Sequence, residues 1–278
     1  MQLTFEHHGV KYVGETNDAK SIAIELEFNG PQPNHFGADK AIKSPVELSG
    51  FVGDTRQGGS CNVDTLKMVP HCNGTHTETV GHIVNSAVSV ATAAMDVLSV
   101  AIVVSVKPVS AERITETYRP KLDDKDSVIS SELLHEAIKS VGDATKVRPE
   151  ALIVRTLPND VDKGRCEYSS KCPPPFFTIE ALQLINKLGI KHLMVDMPSI
   201  DRMTDDGFLT NHHLFWNVAE QSHELSSETL QNKTITEMIY VDDAIADGVY
   251  ALSLQVPAFC CDAAPSRPLI LPIKPIEQ

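Results

Sequence analysis

The chain has 278 residues, enough for one or two domains and for a core that needs no disulfide staples. Its formal charge of −13 argues against a protein that coats nucleic acid through a basic face, and its 42% hydrophobic content excludes a mainly disordered chain. Eleven histidines against a single tryptophan is the imbalance that asks for a chemical explanation.

The first residues, MQLTFEHHGVKYVGE, lack a basic start, an apolar core and a small-residue cleavage site, so they do not read as a signal peptide. The six cysteines (61, 72, 166, 172, 260 and 261) show no metal-ribbon spacing and are expected as free thiols of a cytoplasmic protein. Ile22, Ile24, Leu26 and Phe28 recur at period two and predict a half-buried strand. From Ile83 to Val106 the only formal charge is Asp96, but polar residues interrupt the run. That pattern predicts a buried helix followed by a core strand rather than a membrane span.

Leu133, Leu134, Ile138 and Val141 fit an amphipathic helix, and the apolar strand ALIVRTL follows. Another helix begins near Thr178 and closes at Gly189, with strand HLMVD directly after it. A helical segment from His212 to Val218, strands TITEMIY and VYALSLQVPA, and a final strand PLILPI complete the series. Two polar stretches, residues 158–177 and 219–234, read as loops too short to separate domains. The expectation is an α/β fold over 1–278, a single domain with a mixed β-sheet and flanking helices.

Residues 71–82, HCNGTHTETVGH, hold three histidines, a cysteine and a glutamate. Gly74 and Gly81 are expected to turn the backbone and converge these side chains. On extended backbone His76 and Glu78 share one face, whereas His71 and Cys72 point to opposite faces. Imidazole, thiolate and carboxylate together suit zinc or another first-row divalent ion. Downstream, Asn211, His212 and His213 open a predicted helix and Glu237 sits in a predicted strand, natural completions of a metal site.

The segment resembles the His-x-Gly-Thr-His-x-Asp-x-Pro-x-His signature of the metal-dependent cyclase family, which includes bacterial kynurenine formamidase and isatin hydrolase. The matching run is Cys72-Asn-Gly74-Thr75-His76-Thr-Glu78-Thr-Val80-Gly-His82, with Cys72, Glu78 and Val80 replacing His, Asp and Pro. ALIVRT, VDMPSID, HHLFW, TITEMIY and the closing segment with Asp262 and Arg267 resemble further family blocks in the right order.

The resemblance implies a swivelling β/β/α cyclase-like fold and one or two divalent ions held by Cys72, His76, Glu78, His212 and Glu237. His71 and His213 are alternative ligands; zinc is favoured by the thiolate, with manganese the other choice. His82 would be the general acid–base, and a small formamide or cyclic amide such as N-formylkynurenine, of tryptophan catabolism, the substrate. Phe36, Phe176, Phe177 and Trp216 are candidate pocket walls that core packing explains equally well. The resemblance also implies a homodimer or higher homo-oligomer, with neither nucleic acid nor membrane as partner. The alternative is a non-catalytic, metal-stabilised small-molecule binding protein on the same fold.

Overall fold

Apolar β-branched runs become the strands of a nine-stranded mixed sheet in the computed structural model, which describes residues 1–94, 96–141 and 147–276. In chain order its strands are β1 (Lys20–Ser21), β2 (His76–Glu78), β3 (Ser99–Val106), β4 (Ala151–Thr156), β5 (His192–Val195), β6 (Thr234–Glu237), β7 (Gly248–Ser253), β8 (Ala263–Pro265) and β9 (Leu269–Pro272). The spatial order is β8-β2-β6-β5-β4-β3-β7-β9-β1. The four central strands β6, β5, β4 and β3 are parallel, and antiparallel strands extend the sheet on both sides.

Parallel strands are covered on both faces, and every residue of β4, β5 and β6 is buried. Period-two alternation divides them between two cores. Ile102, Val104, Leu152, Val154, Leu193 and Val195 face the helices; Ala101, Val103, Ala151, Ile153 and Met194 face the opposite side. Among the described residues the α-helices are two single turns, α1 (Pro70–Asn73) and α2 (Val90–Ala93), then α3 (Ser131–Ser140), α4 (Ile179–Lys187) and α5 (Thr210–Trp216). Among the described residues no helix is long and apolar enough to cross a membrane.

At the carboxyl ends of β4 and β5, polar side chains take over from the apolar core. Asp196 accepts from Thr156 N and Oγ1 at 2.8 and 2.9 Å and pairs with Lys163 at 2.7 Å. Arg155 reaches Ser105, Asp247 and the carbonyls of Asp242 and Ile245, all at 2.8–2.9 Å, so four hydrogen bonds compensate the burial of its charge.

Several expected elements are shorter in the structure, among them the strand expected over VYALSLQVPA, which ends at Ser253. The helix expected after Ile83 is only α2, because Asn85 N donates to His223 O and Ser89 Oγ donates to Phe259 O, tying the segment to neighbouring loops; Met95 lies outside the described residues. The period-two segment from Ile22 to Phe28 keeps its alternating burial but forms no ladder beyond a bridge from Ala23 to Ile239, since Thr75 Oγ1 captures Ile24 N at 2.8 Å. Strand β6 ends at Glu237, where Met238 takes a positive φ of 53°.

The expected start of α4 is present in detail: Thr178 Oγ1 accepts from Ala181 N and donates to Glu116 at 2.6 Å. Thr178→Ala should lower unfolding stability by about 1 kcal/mol or more in urea titration, with Thr178→Ser recovering most of it. An unchanged midpoint for the alanine variant would contradict the cap.

Candidate metal centre

Extended backbone at β2 puts His76 and Glu78 on one face, as their spacing requires, and Thr77 on the other, where it meets Thr236 and Ser266 at 2.8 Å. Antiparallel register sets His76 opposite Glu237, bringing His76 Nε2 to 3.5 Å from Glu237 Oε2. His76 Nδ1 lies 3.0 Å from Gly74 O, which leaves Nε2 as the ring atom facing the centre. Glu237 Oε1 accepts from Ile200 N at 3.0 Å. Thr75 closes the strap by donating to Met238 O.

From the far side, α5 delivers His212, whose Nε2 lies 2.9 Å from Glu78 Oε1 and 3.8 Å from Glu237 Oε1. Asp201 fixes that ring. It accepts from Asn211 N at 2.7 Å and His212 N at 3.1 Å, and its Oδ2 lies 2.5 Å from His212 Nδ1. Tyr118 donates to the other oxygen of Asp201 at 2.7 Å, and the Trp216 ring lies tilted against that of His212 with centroids 5.5 Å apart. Burial disfavours charge on His212, but Glu78 and Asp201 hold its pKa well above the ordinary value.

Nearer solvent, His71 and His82 stack with ring centroids 4.2 Å apart and share two carboxylates. His71 Nδ1 lies 3.0 Å from Glu78 Oε2 and its Nε2 2.9 Å from Asp262 Oδ2. His82 Nδ1 lies 3.5 Å from Asp262 Oδ2, with Nε2 4.0 Å from Glu78 Oε2. Gly81 is needed for this approach: a Cβ there would come within 2.6 Å of Val88 O. Gly74, by contrast, is simply extended, so the expected sharp turn occurs in α1 instead.

Among the described residues, groups able to ligate a metal form three overlapping sets: His71, His76 and Glu78; Glu78, His82 and His212; His71, His82 and Asp262. His76 Nε2 is buried without a hydrogen-bond partner among the described residues, and the buried Glu78 Oε2 meets only histidine nitrogens, His71 Nδ1 at 3.0 Å and His82 Nε2 at 4.0 Å. Buried polar atoms ordinarily find partners. An unpartnered imidazole nitrogen and a carboxylate oxygen that faces only imidazoles fit a divalent cation, in the chemistry of borderline N/O donors.

Several expected site residues stand elsewhere. Cys72 is buried next to the centre, its thiol pushed up by burial and by Glu237, yet none of these sets includes its Sγ. The helical turn of α1 aims His71, rather than Cys72, at Glu78. His213 belongs to none of them either. Phe36 is 64% exposed and lies tilted against His35 with ring centroids 3.8 Å apart, while Trp216, Phe176 and Phe177 are core residues. Trp216 Nε1 donates to Lys233 O at 3.1 Å.

Three participants had no assigned role in the sequence: Asp201 and Asp262, visible there only within longer blocks, and His35. The His35 ring is buried close to His76, with neither nitrogen partnered among the described residues. Burial and the His76 charge lower its pKa to about 4.

Residues 10–202 match the family profile described as putative cyclase, most of the chain, and the protein belongs to that family. No curated protein matches the sequence. Among solved structures it is similar to isatin hydrolase A from Labrenzia aggregata, bound to benzyl benzoate, at 14% identity over 92% of this chain and 94% of that one, with a TM-score of 0.60. Isatin hydrolase A from Ralstonia solanacearum is similar at 13% identity over 92% of each chain, TM-score 0.53. A predicted metal-dependent hydrolase from Bacillus stearothermophilus matches at 14% identity over 91% of this chain and 97% of that one, TM-score 0.55. These likenesses establish a cyclase-family fold.

Burial disfavours charge on His71, but Asp262 and Glu78 raise its pKa to about 10. Because the folded value is raised from 6.5, this pairing stabilises the metal-free fold fully below about pH 6.5 and loses that contribution as pH climbs toward about 10. Histidine NMR of chelated protein should find His71 still protonated at about pH 8, with Asp262→Asn lowering its midpoint. A wild-type midpoint near 6.5 would contradict the pairing.

Proposed function

We propose that this protein is a metal-dependent hydrolase of a small amide, with formamides and cyclic amides such as N-formylkynurenine or isatin as the substrates to try first. One observation carries the reading: His76 Nε2, buried and unpartnered among the described residues, and the fully buried Glu78 carboxylate lie beneath a half-exposed histidine, His82, that Asp262 orients.

His76, Glu78, His212 and Glu237 would hold the metal, with His71 in the place expected of Cys72. Without the thiolate, imidazole and carboxylate donors suit zinc and manganese alike, as one ion or two. A bound divalent metal supplies Lewis acidity and makes water acidic enough to react near neutral pH.

The chain's own residues supply the rest. Asp262 faces His82 Nδ1, leaving Nε2 on the inner side as the atom that exchanges protons. His82 takes a proton from the attacking water and returns it to the departing nitrogen, the general acid–base role that a positioned imidazole commonly fills. Asp201 holds the His212 tautomer and ring plane, as outer carboxylates commonly do for ligand histidines. The buried wall of Trp216 and Ile200 keeps water from the inner carboxylates.

His82→Ala should lower kcat/KM on a formamide and cyclic-amide panel by about 10²–10⁴-fold while metal content and Tm change little. Flat rates across that panel with metal-replete enzyme, indistinguishable from chelated enzyme, would sink the hydrolase reading. For the ligand set, elemental analysis of untagged protein should give one or two equivalents of zinc or manganese. His76→Ala should abolish that uptake and Cys72→Ser should leave it within about threefold; the reverse ranking would restore Cys72 as ligand.

A further inference from the structure

A cavity of about 360 Å³ opens beside the rim carboxylate of the candidate centre, between the segment from Gly81 to Ser89 and the segment Cys260–Asp262. Its size suits a small aromatic or aliphatic amide. Val84 and Val88 give it apolar wall, Ser86 supplies a hydroxyl, and Cys260 and Cys261, both exposed free thiols, line the other side. None of the lining residues is lysine, arginine or histidine, and the one charged residue among them is Asp262.

That carboxylate is the same group whose Oδ2 lies 3.5 Å from His82 Nδ1 and 2.9 Å from His71 Nε2. The cavity therefore adjoins the reacting centre instead of forming a separate site. A second acid stands at its edge, where Asn85 donates to Glu224 Oε1 at 3.0 Å. Arg267, close in sequence, is exposed and lines no part of the cavity.

We propose that this cleft receives the non-reacting part of the substrate and selects neutral or cationic amides against those carrying a carboxylate on that part. The proposal rests on the hydrolase reading for its chemistry, while the cleft's electrostatic preference is a property of the folded chain. A carboxylate placed there would lose water, meet Asp262, and find no lining cation to pair with; a neutral amide loses nothing comparable. An anilide carrying an unpaired carboxylate on its distal part is thus a poorer fit than a neutral lactam or anilide.

The two thiols report on the cleft independently of turnover. Iodoacetamide and iodoacetate alkylate a thiolate by the same displacement of iodide and differ chiefly in charge. With metal-loaded protein and peptide mass spectrometry, the iodoacetamide-to-iodoacetate rate ratio at Cys260 and Cys261 should exceed that at exposed Cys61 by roughly fivefold, the scale of one nearby carboxylate in partly exposed surroundings. Ser86→Lys should pull the ratio back toward that of Cys61. In parallel, formanilide should be turned over faster than its para-carboxylate, and Ser86→Lys should narrow the gap. Equal ratios at the three cysteines, or a para-carboxylate preferred by the wild type, overturn the proposal even if amides are hydrolysed. A skewed ratio on a protein that hydrolyses no amide overturns the hydrolase reading and leaves the cleft's preference standing.

Discussion

Glu78 is a carboxylate with no contact with solvent, held in the middle of the sheet's edge region by β2. Burial by itself would push it to the neutral form, but His82 and His212, with His71, keep it well below the ordinary carboxylate range. A buried charge of this kind has to be matched by others at short range. The surrounding architecture meets that requirement: α5 presents His212, α1 presents His71, and the turn after β2 presents His82. Each of those imidazoles is oriented in turn by a second acid, Asp201 for His212 and Asp262 for the outer pair.

The parallel core explains why these pieces meet reproducibly. Strands β3 to β6 are buried on both faces, so their register is fixed by packing on two sides. Their carboxyl ends deliver Arg155, Asp196 and Glu237 to one side of the sheet, where Thr156, Asp247 and Ile200 engage them. Strand β2, second from the sheet's edge, then needs only its pairing with β6 and β8 to set His76 opposite Glu237. Loops on the same side, too polar to enter the core, supply Tyr118, Asp201 and Asp262. Rigid strands hold the inner donors and loops hold the rim, where a substrate would enter.

Much of this was legible in the residues. Period-two spacing identified His76 and Glu78 as partners, and apolar runs identified β3, β4 and β5. Thr178 and Gly189 marked the ends of α4. The resemblance then favoured His212 over His213 and added the family fold.

What stayed hidden depended on distant contacts. Whether His71 or Cys72 enters the centre turns on one helical turn that neighbouring residues do not announce. Asp201 and Asp262 act on histidines brought near only by the fold, and His35 arrives from a loop with no periodic signal. The segment from Ile22 to Phe28 shows the converse, a strand pattern whose ladder bonds are taken by Thr75.

The central claim is that buried imidazole and carboxylate donors on β2, β6 and α5 form one metal centre. A crystal structure of the metal-loaded protein, with anomalous scattering collected at the metal edge, tests it most directly. The account predicts an ion at about 2.0–2.2 Å from His76 Nε2 and a Glu78 oxygen, with His212 in the same coordination sphere. An ion bound through Cys72 Sγ with His76 and Glu78 unligated, or a metal peak elsewhere on the protein, would contradict it.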